Sequence, residues 1–319
     1  MSANLLDHFE TLEDPRVERN KRHALPDILL LTISAVLGGA EGWEAIEQFG
    51  NEKLPWLRKF APFEHGVPSH DCIANVISRL RFKQFQECFI GWVRAVAATT
   101  GGEIVAVDGK TARGSRDRGN GCKPLHMVSA WASANRLVLG QEATEEKSNE
   151  ITAIPKLLQL LELKGCIVTI DAMGCQRAIA AQIVEQGGDY VLGLKGNQGV
   201  LHEEVEDFFS AAEAGEFAGV DFDYTEETDK DHGRLEVRRY WITEDLRTLS
   251  DRRGWKGLRS IGMVERECWS GGIHTVERRY FINSIPADAK RFAKAVRKHW
   301  GVENRLHWRL DVVFGEDAS

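Results

Sequence analysis

Two short apolar runs, each delivering an aspartate, constrain this 319-residue chain more than any other feature. Residues 104–107 read IVAV and lead into Asp108 within EIVAVDGKTARG, and residues 166–170 read CIVTI and lead into Asp171. Runs so short and so rich in β-branched residues predict buried strands rather than helices. Gly109 is expected to end the first strand. A carboxylate at the end of a buried strand is costly to keep charged unless a cation sits against it. Taken alone, Asp108 fits better the start of an ordinary Asp-Gly turn.

The segment between the two runs changes that balance. Residues 126–133 and 136–144 read as a second and a third strand, with Ala134 and Asn135 as the turn between them. Residues 150–163 then form an amphipathic helix with Ile151, Ile154, Leu157, Leu158 and Leu161 inward, closed at Gly165. An antiparallel meander, a helix and a strand parallel to the first bring Asp108 and Asp171 to adjacent strand ends of one sheet, where α/β sheets place ligands. Two carboxylates so placed repel unless a divalent cation lies between them. The turn reading now needs two coincidences, so a functional role takes precedence. Residues 178–186 continue as a helix, 189–194 as a strand leading into Lys195, and 201–209 as an acidic helix.

The net charge of -7 argues at first against a polyanionic partner, but the charge is unevenly spread. Residues 1–140 hold 17 basic against 16 acidic side chains, residues 141–231 hold 6 against 20, and residues 232–310 hold 18 against 9. A basic third of this kind is what contact with a phosphate backbone requires, although a solvated surface produces it too. Within it, 221–281 alternates in the manner of an inserted or appended antiparallel sheet. Its polar face is rich in Arg234, Arg238, Arg239, Arg266, Arg278 and Arg279. The longest apolar run, 28–40, is too short to span a bilayer, and residues 1–20 lack the apolar centre of a signal peptide, so a cytoplasmic location is expected. Cys72, Cys88, Cys122, Cys166, Cys175 and Cys268 show no zinc-ligand spacing and read as reduced thiols.

The two ends of the chain are helical. Near the N-terminus Pro26 opens one helix, Trp43 to Phe49 suggests a short second, Ser69 caps a third through Ile73, Val76, Ile77 and Leu80, and a fourth carries Phe85, Phe89, Trp92, Val93 and Val96. The pair joined near 81–84 is a packing unit or, less often in such pairs, a DNA-reading one. At the other end, 287–310 is predicted helical throughout. Trp300, Glu303, Asn304 and His307 fall on one face, with Arg297 one turn before.

VAVDGK, VTIDAMGCQ and HWGVENRLHWRLDVVFGED, with DPRVERNKRHALPDILLLTISAVLGG near the start, resemble the DDE transposases of bacterial insertion sequences. The closest likeness is to the H-repeat-associated branch, and it covers nearly the whole chain. The resemblance implies an α/β, ribonuclease H-like catalytic core. It would be divided into an N-terminal helical domain (1–100), the first part of the core (101–210), a β-rich basic insertion (211–285) and the last core helix (286–319). It implies that Asp108, Asp171 and Glu303 bind two Mg2+ ions, with Mn2+ as a substitute. The partners would be DNA, as the element's terminal inverted repeats and the target, with a homodimer synapsing two ends. Lys110 and Lys195 would be phosphate contacts, though lysines after strands are commonly just solvated. His232 and Arg234, from a motif of this branch, would bind transposon ends. Asn304 and His307 would orient Glu303 or touch DNA. Related transposases carry Tyr, Arg and Lys where this chain has Val296, His299 and Leu310, which moves those phosphate contacts to Arg297 or Arg309. Relatives also continue beyond the position of Ser319. That sets a second expectation beside the enzyme, a truncated remnant that binds DNA without cutting it.

Overall fold

A computed structural model describes residues 4–96, 104–115, 124–134, 136–144, 149–215, 218–231 and 234–317. The chain divides into two compact units, 1–98 and 99–319. The first is helical, with α1 Leu25–Leu37, α2 Trp43–Leu57, α3 His70–Ile77 and α4 Phe82–Val96. Pro26 lies in the first turn of α1, where its missing N–H costs nothing. The Ser69 hydroxyl caps α3 by accepting from the Cys72 N–H at 3.4 Å. Its apolar faces meet in two cores, one around Ile28, Leu29, Val76 and Phe9, the other around Leu31, Ile46, Phe63 and Ile73.

The second unit is mixed α/β and built on one nine-stranded sheet in the order β3-β2-β1-β4-β5-β9-β8-β7-β6. The strands are β1 Ile104–Ala112, β2 Leu125–Ala132, β3 Leu137–Thr144, β4 Ile167–Ile170, β5 Asp189–Leu194, β6 Phe222–Asp231, β7 Arg234–Thr243, β8 Ser260–Ser270 and β9 Ile273–Asn283. β1, β4 and β5 run parallel, and the expected meander and crossover are present. Helices cover both faces of this part, which is why β1 and β4 are apolar at consecutive rather than alternate positions. Val105 and Val107 point to α5 Glu150–Gln159 and α6 Arg177–Glu185, whereas Ile104 and Ala106 point to the terminal helix.

The structure departs from the sequence-based reading at three places. β1 does not end at Gly109. Only its parallel pairing with β4 stops, at Val107 opposite Ile170, while pairing with β2 continues to Ala112. Secondly, the strands within 211–285 form no sheet of their own. β9 pairs with the open edge of β5, Val191 opposite Asn283, so they extend the core sheet. Thirdly, the terminal helix is not uniform: α8 Ala289–Gly301 runs into a π-helical turn, Val302–His307, and then α9 Trp308–Val312.

α8 is fixed at its start by two carboxylates, Asp288 accepting from the Arg291 N–H at 2.9 Å and Asp223 from the Ala289 N–H at 2.8 Å. Its Phe292 is fully buried against the sheet because β8 has Gly262 beneath it, where a Cβ would come within 2.6 Å of the ring. Among the described residues no helix is long and apolar enough to cross a membrane. The five described cysteines form no disulfide.

Candidate active site

Strand register sets the first two acids of the site. The last parallel pair is Val107 and Ile170, so Asp108 and Asp171 each stand one residue beyond it on neighbouring strands. Asp108 is largely buried, its side chain 17% exposed. Asp171 is exposed and held in an Asx turn, its Oδ1 accepting from the Met173 N–H at 3.0 Å and the Gly174 N–H at 3.4 Å.

The third acid comes from the π turn. Val302 and Leu306 pack on Ala106 and Trp131, and this apolar contact seats Glu303 over the strand ends. π turns are rare, and they recur at functional positions because one extra residue per turn re-aims the side chains that follow. The change is visible here. Glu303 faces a cavity of about 190 Å3 with Asp171, Lys195, Arg279, His299 and Trp300. Asn304 faces a different cleft, and His307 turns to Asp108, its Nδ1 3.7 Å from Oδ2. Residues expected on one helical face thus serve three places.

The electrostatics agree with this convergence. Burial pushes the Asp108 carboxyl up to about 7; an N–H from Gly109 opposes the rise, while the negative charges of Glu303, Asp171 and Glu150 add to it. Burial also raises Glu303, with Arg279 opposing and Asp171 adding. Burial pushes the imidazole of His307 down to about 4, with Lys110 adding to the effect, and that of His299 down to about 4, so both are neutral near pH 7.

His299 escaped the sequence reading as a site residue, although it lies one turn before Glu303. Its Nδ1 is 3.0 Å from the Thr169 hydroxyl, beneath the Asp171 strand end. The spacing from Glu303 was the available signal.

The donor set suits a hard divalent cation, since carboxylates from three elements approach one another and burial resists the charge of Asp108. Among the described residues no group of three His, Cys, Asp or Glu is closed tightly enough to hold an ion as it stands.

A second cavity, of about 280 Å3, adjoins the first. It is lined by Arg234, Arg238, Arg266 and Arg279 of the sheet and by Arg297, Trp300 and Asn304 of the terminal helix. Arg279 and Trp300 line both cavities, the guanidinium carbon standing 4.7 Å from the indole centroid. Glu236, 1% exposed, braces the cluster, with Arg234 at 2.8 Å, Arg266 at 3.0 Å and Arg238 also against it. Burial, with Arg297 and then Arg266 among the further causes, holds Arg238 below the usual arginine range.

Lys110 is elsewhere. It is 10% exposed and ion-paired to Asp311 at 2.8 Å, Glu316 at 2.6 Å and Asp317 at 3.4 Å. His232 lies outside the described residues.

Both units have counterparts among known families, and both point to one class, the proteins of DNA transposition. Residues 99–319 match the family described as Transposase DDE domain, and residues 6–93 match the one described as DDE_Tnp_1-associated. The chain belongs to the DDE transposase family, and its high-coverage relatives include H repeat-associated members. It is 44% identical to "Putative transposase YncI" of Escherichia coli O157:H7 over 320 residues, spanning 99% of this chain and 81% of that one. It is 44% identical to "H repeat-associated putative transposase YhhI" of Escherichia coli K12, spanning 98% and 83%. A piggyBac transposase synaptic complex with hairpin DNA aligns at a TM-score of 0.41 and 13% identity, covering 98% of this chain and 64% of that one, too distant to bear on the site.

Proposed function

We propose that the protein is a DNA transposase that cleaves the ends of an insertion sequence and joins them to target DNA, working from a ribonuclease H-like core. The observation that supports this best is the pairing of two neighbouring sites. Asp108, Asp171 and Glu303 converge from two strand ends and a π turn, and an arginine-lined cleft opens beside them through Arg279 and Trp300.

In this reading the three carboxylates hold two divalent cations, Mg2+ or Mn2+. Bound there, such ions lower the pKa of a water or a DNA 3'-hydroxyl and stabilise the leaving oxygen of an in-line phosphoryl displacement. The chain's own groups do the rest. Lys195 and Arg279 stand in the carboxylate cavity, where they neutralise the phosphate under attack. Arg234, Arg297 and Asn304 hold the flanking strand in the cleft. His307, neutral and against Asp108, orients that carboxylate without competing as a cation. Lys110 reaches a phosphate only after its three carboxylates are displaced. His232, beside Arg234 in the sequence, joins the end-binding surface. Two copies act together, one on each end.

The test is cleavage of DNA carrying the element's terminal inverted repeats, with Mg2+ or Mn2+, by the folded chain. Metal-dependent nicking that disappears in Asp108→Ala supports the enzyme. Binding of those ends with no cleavage under either metal leaves the non-cutting remnant instead.

A further inference from the structure

Behind Asp108, on the face of the sheet away from α8, lies a buried polar chain that the proposed reaction does not use. The Thr111 hydroxyl is 2.8 Å from His126 Nδ1, and His126 Nε2 is 2.7 Å from Glu150 Oε1. His126 is 2% exposed and Glu150 4%. Three elements supply it: Thr111 from β1, His126 directly opposite on β2, and Glu150 as the first residue of α5. With a hydrogen on Nε2 the contacts run in one direction: the Thr111 hydroxyl donates to Nδ1, and Nε2–H donates to the Glu150 carboxylate.

Room for this chain depends on the residue after Asp108. A Cβ at Gly109 would stand 2.6 Å from His126 Nε2 and closer still to Glu150 Oε1. The glycine therefore lets a carboxylate lie directly under the β1 backbone, one residue from the catalytic aspartate. Beyond Val107 the strand has lost β4 as a neighbour, and this stretch is held by β2, by the carboxylates around Lys110 and by the buried chain. Stability alone does not account for it. Burying a carboxylate is costly, and apolar residues of similar volume often serve as well at such buried polar pairs. A charge in a low-dielectric interior acts over a longer range than one in water.

We propose that Glu150, held by His126, is an outer carboxylate of the cation site, adding negative charge behind Asp108 from the far face of β1 and tightening the hold on a divalent cation. This rests on reading Asp108, Asp171 and Glu303 as the cation ligands. The experiment is a Mn2+ titration of the full chain, reading free Mn2+ by electron paramagnetic resonance, with circular dichroism confirming the fold.

Glu150→Gln keeps the hydrogen bond and removes the charge, and is expected to weaken Mn2+ binding about tenfold, as loss of an outer-shell partner typically does. Thr111→Val breaks the chain and leaves the charge, and is expected to bind Mn2+ as the parent does. Wild-type affinity in Glu150→Gln, or equal weakening in Thr111→Val, overturns the inference. Should Glu150→Gln not fold, His126→Gln decides: it retains the carboxylate and must bind Mn2+ at least as tightly, weaker binding overturning the idea. Asp108→Ala separates the two levels, since undiminished Mn2+ binding there defeats the parent reading itself.

Discussion

The two faces of strands β7 to β9 are built from the same residues and do opposite things with them. On the face away from α8, Arg239 and Arg278 are shared among Glu213, Glu226, Glu265 and Glu267, at 2.7 to 3.0 Å. On the face toward α8, Arg234, Arg238, Arg266 and Arg279, with Arg297 from the helix, have Glu236, Glu277 and Glu227. Two cations on four acids leave an acidic excess. Five on three leave a basic excess, and that excess borders Asp171 and Glu303 through Arg279. The alternation of a strand is enough to sort one basic sequence into a structural face, its arginines held by more numerous acids, and a proposed binding face.

If the comparison is right, the largest effect belongs to the acids that the basic face borders. Glu303→Gln keeps the size of the side chain on the π turn and removes the charge proposed to hold a cation. It is expected to lower cleavage by at least about 10³-fold, or ~4 kcal/mol in the barrier, while DNA affinity is kept. A loss of affinity in step with cleavage would show instead that Glu303 acts through binding. Next comes the cleft. Arg279→Ala is expected to weaken DNA binding by about tenfold and to reduce the slope of log K against log salt by about one. Arg239→Ala, on the opposite face, should leave both unchanged. Equal effects in a filter-binding salt series would erase the distinction between the faces.

Asp108 provides the third test. Its folded carboxyl is raised to about 7 from an ordinary 3.8, so the folded state holds a proton that the unfolded state has released between those values. The metal-free protein should therefore lose stability as pH rises from about 4 through 7, by up to about 4 kcal/mol. Asp108→Asn should melt higher than the parent at pH 8 and like it near pH 4. Added Mn2+ should narrow the gap at pH 8 by stabilising only the parent. A gap that does not depend on pH would rule out the buried charge as its cause.

How much of this was legible in the sequence depends on whether a feature was local. The placing of Asp108 and Asp171 at adjacent strand ends was legible because a short β-branched run and a meander-helix-strand order are local signals. The extension of β1 past Gly109 was not, because it is held by β2 pairing and by the His126–Glu150 pair, both long-range. Nor was the joining of β9 to β5, since an antiparallel hairpin pattern is the same whether its outer edge is free or paired. The π turn hid for a physical reason: Val302 and Leu306 keep a four-residue apolar spacing that an α-helix shares, so the local pattern does not distinguish the two. Lys110 looked free because the acids that hold it are some 200 residues away.

The smallest effect should come from the structural face, and its pH dependence makes it diagnostic. Arg239 donates to Glu226 at 3.0 Å and to Glu265 and Glu267 at 2.9 Å. Its hydrogen bond is the first cause holding the Glu267 carboxyl below the usual glutamate range, with that of His274 adding to it. Partly exposed pairs contribute little singly, so Arg239→Ala is expected to lower the melting temperature by only about 2 °C at pH 7. A glutamate depressed in the folded state contributes stability that is present above its ordinary value and lost as pH falls through the depressed one. The difference between Arg239→Ala and the parent should therefore hold from neutrality down to the ordinary glutamate range and shrink below it, and high salt should shrink it at every pH. Calorimetry across that range separates the outcomes. A difference that persists in acid would mean that Arg239 acts through the packing of its aliphatic stem, and the structural face would then owe its stability to contact rather than to charge.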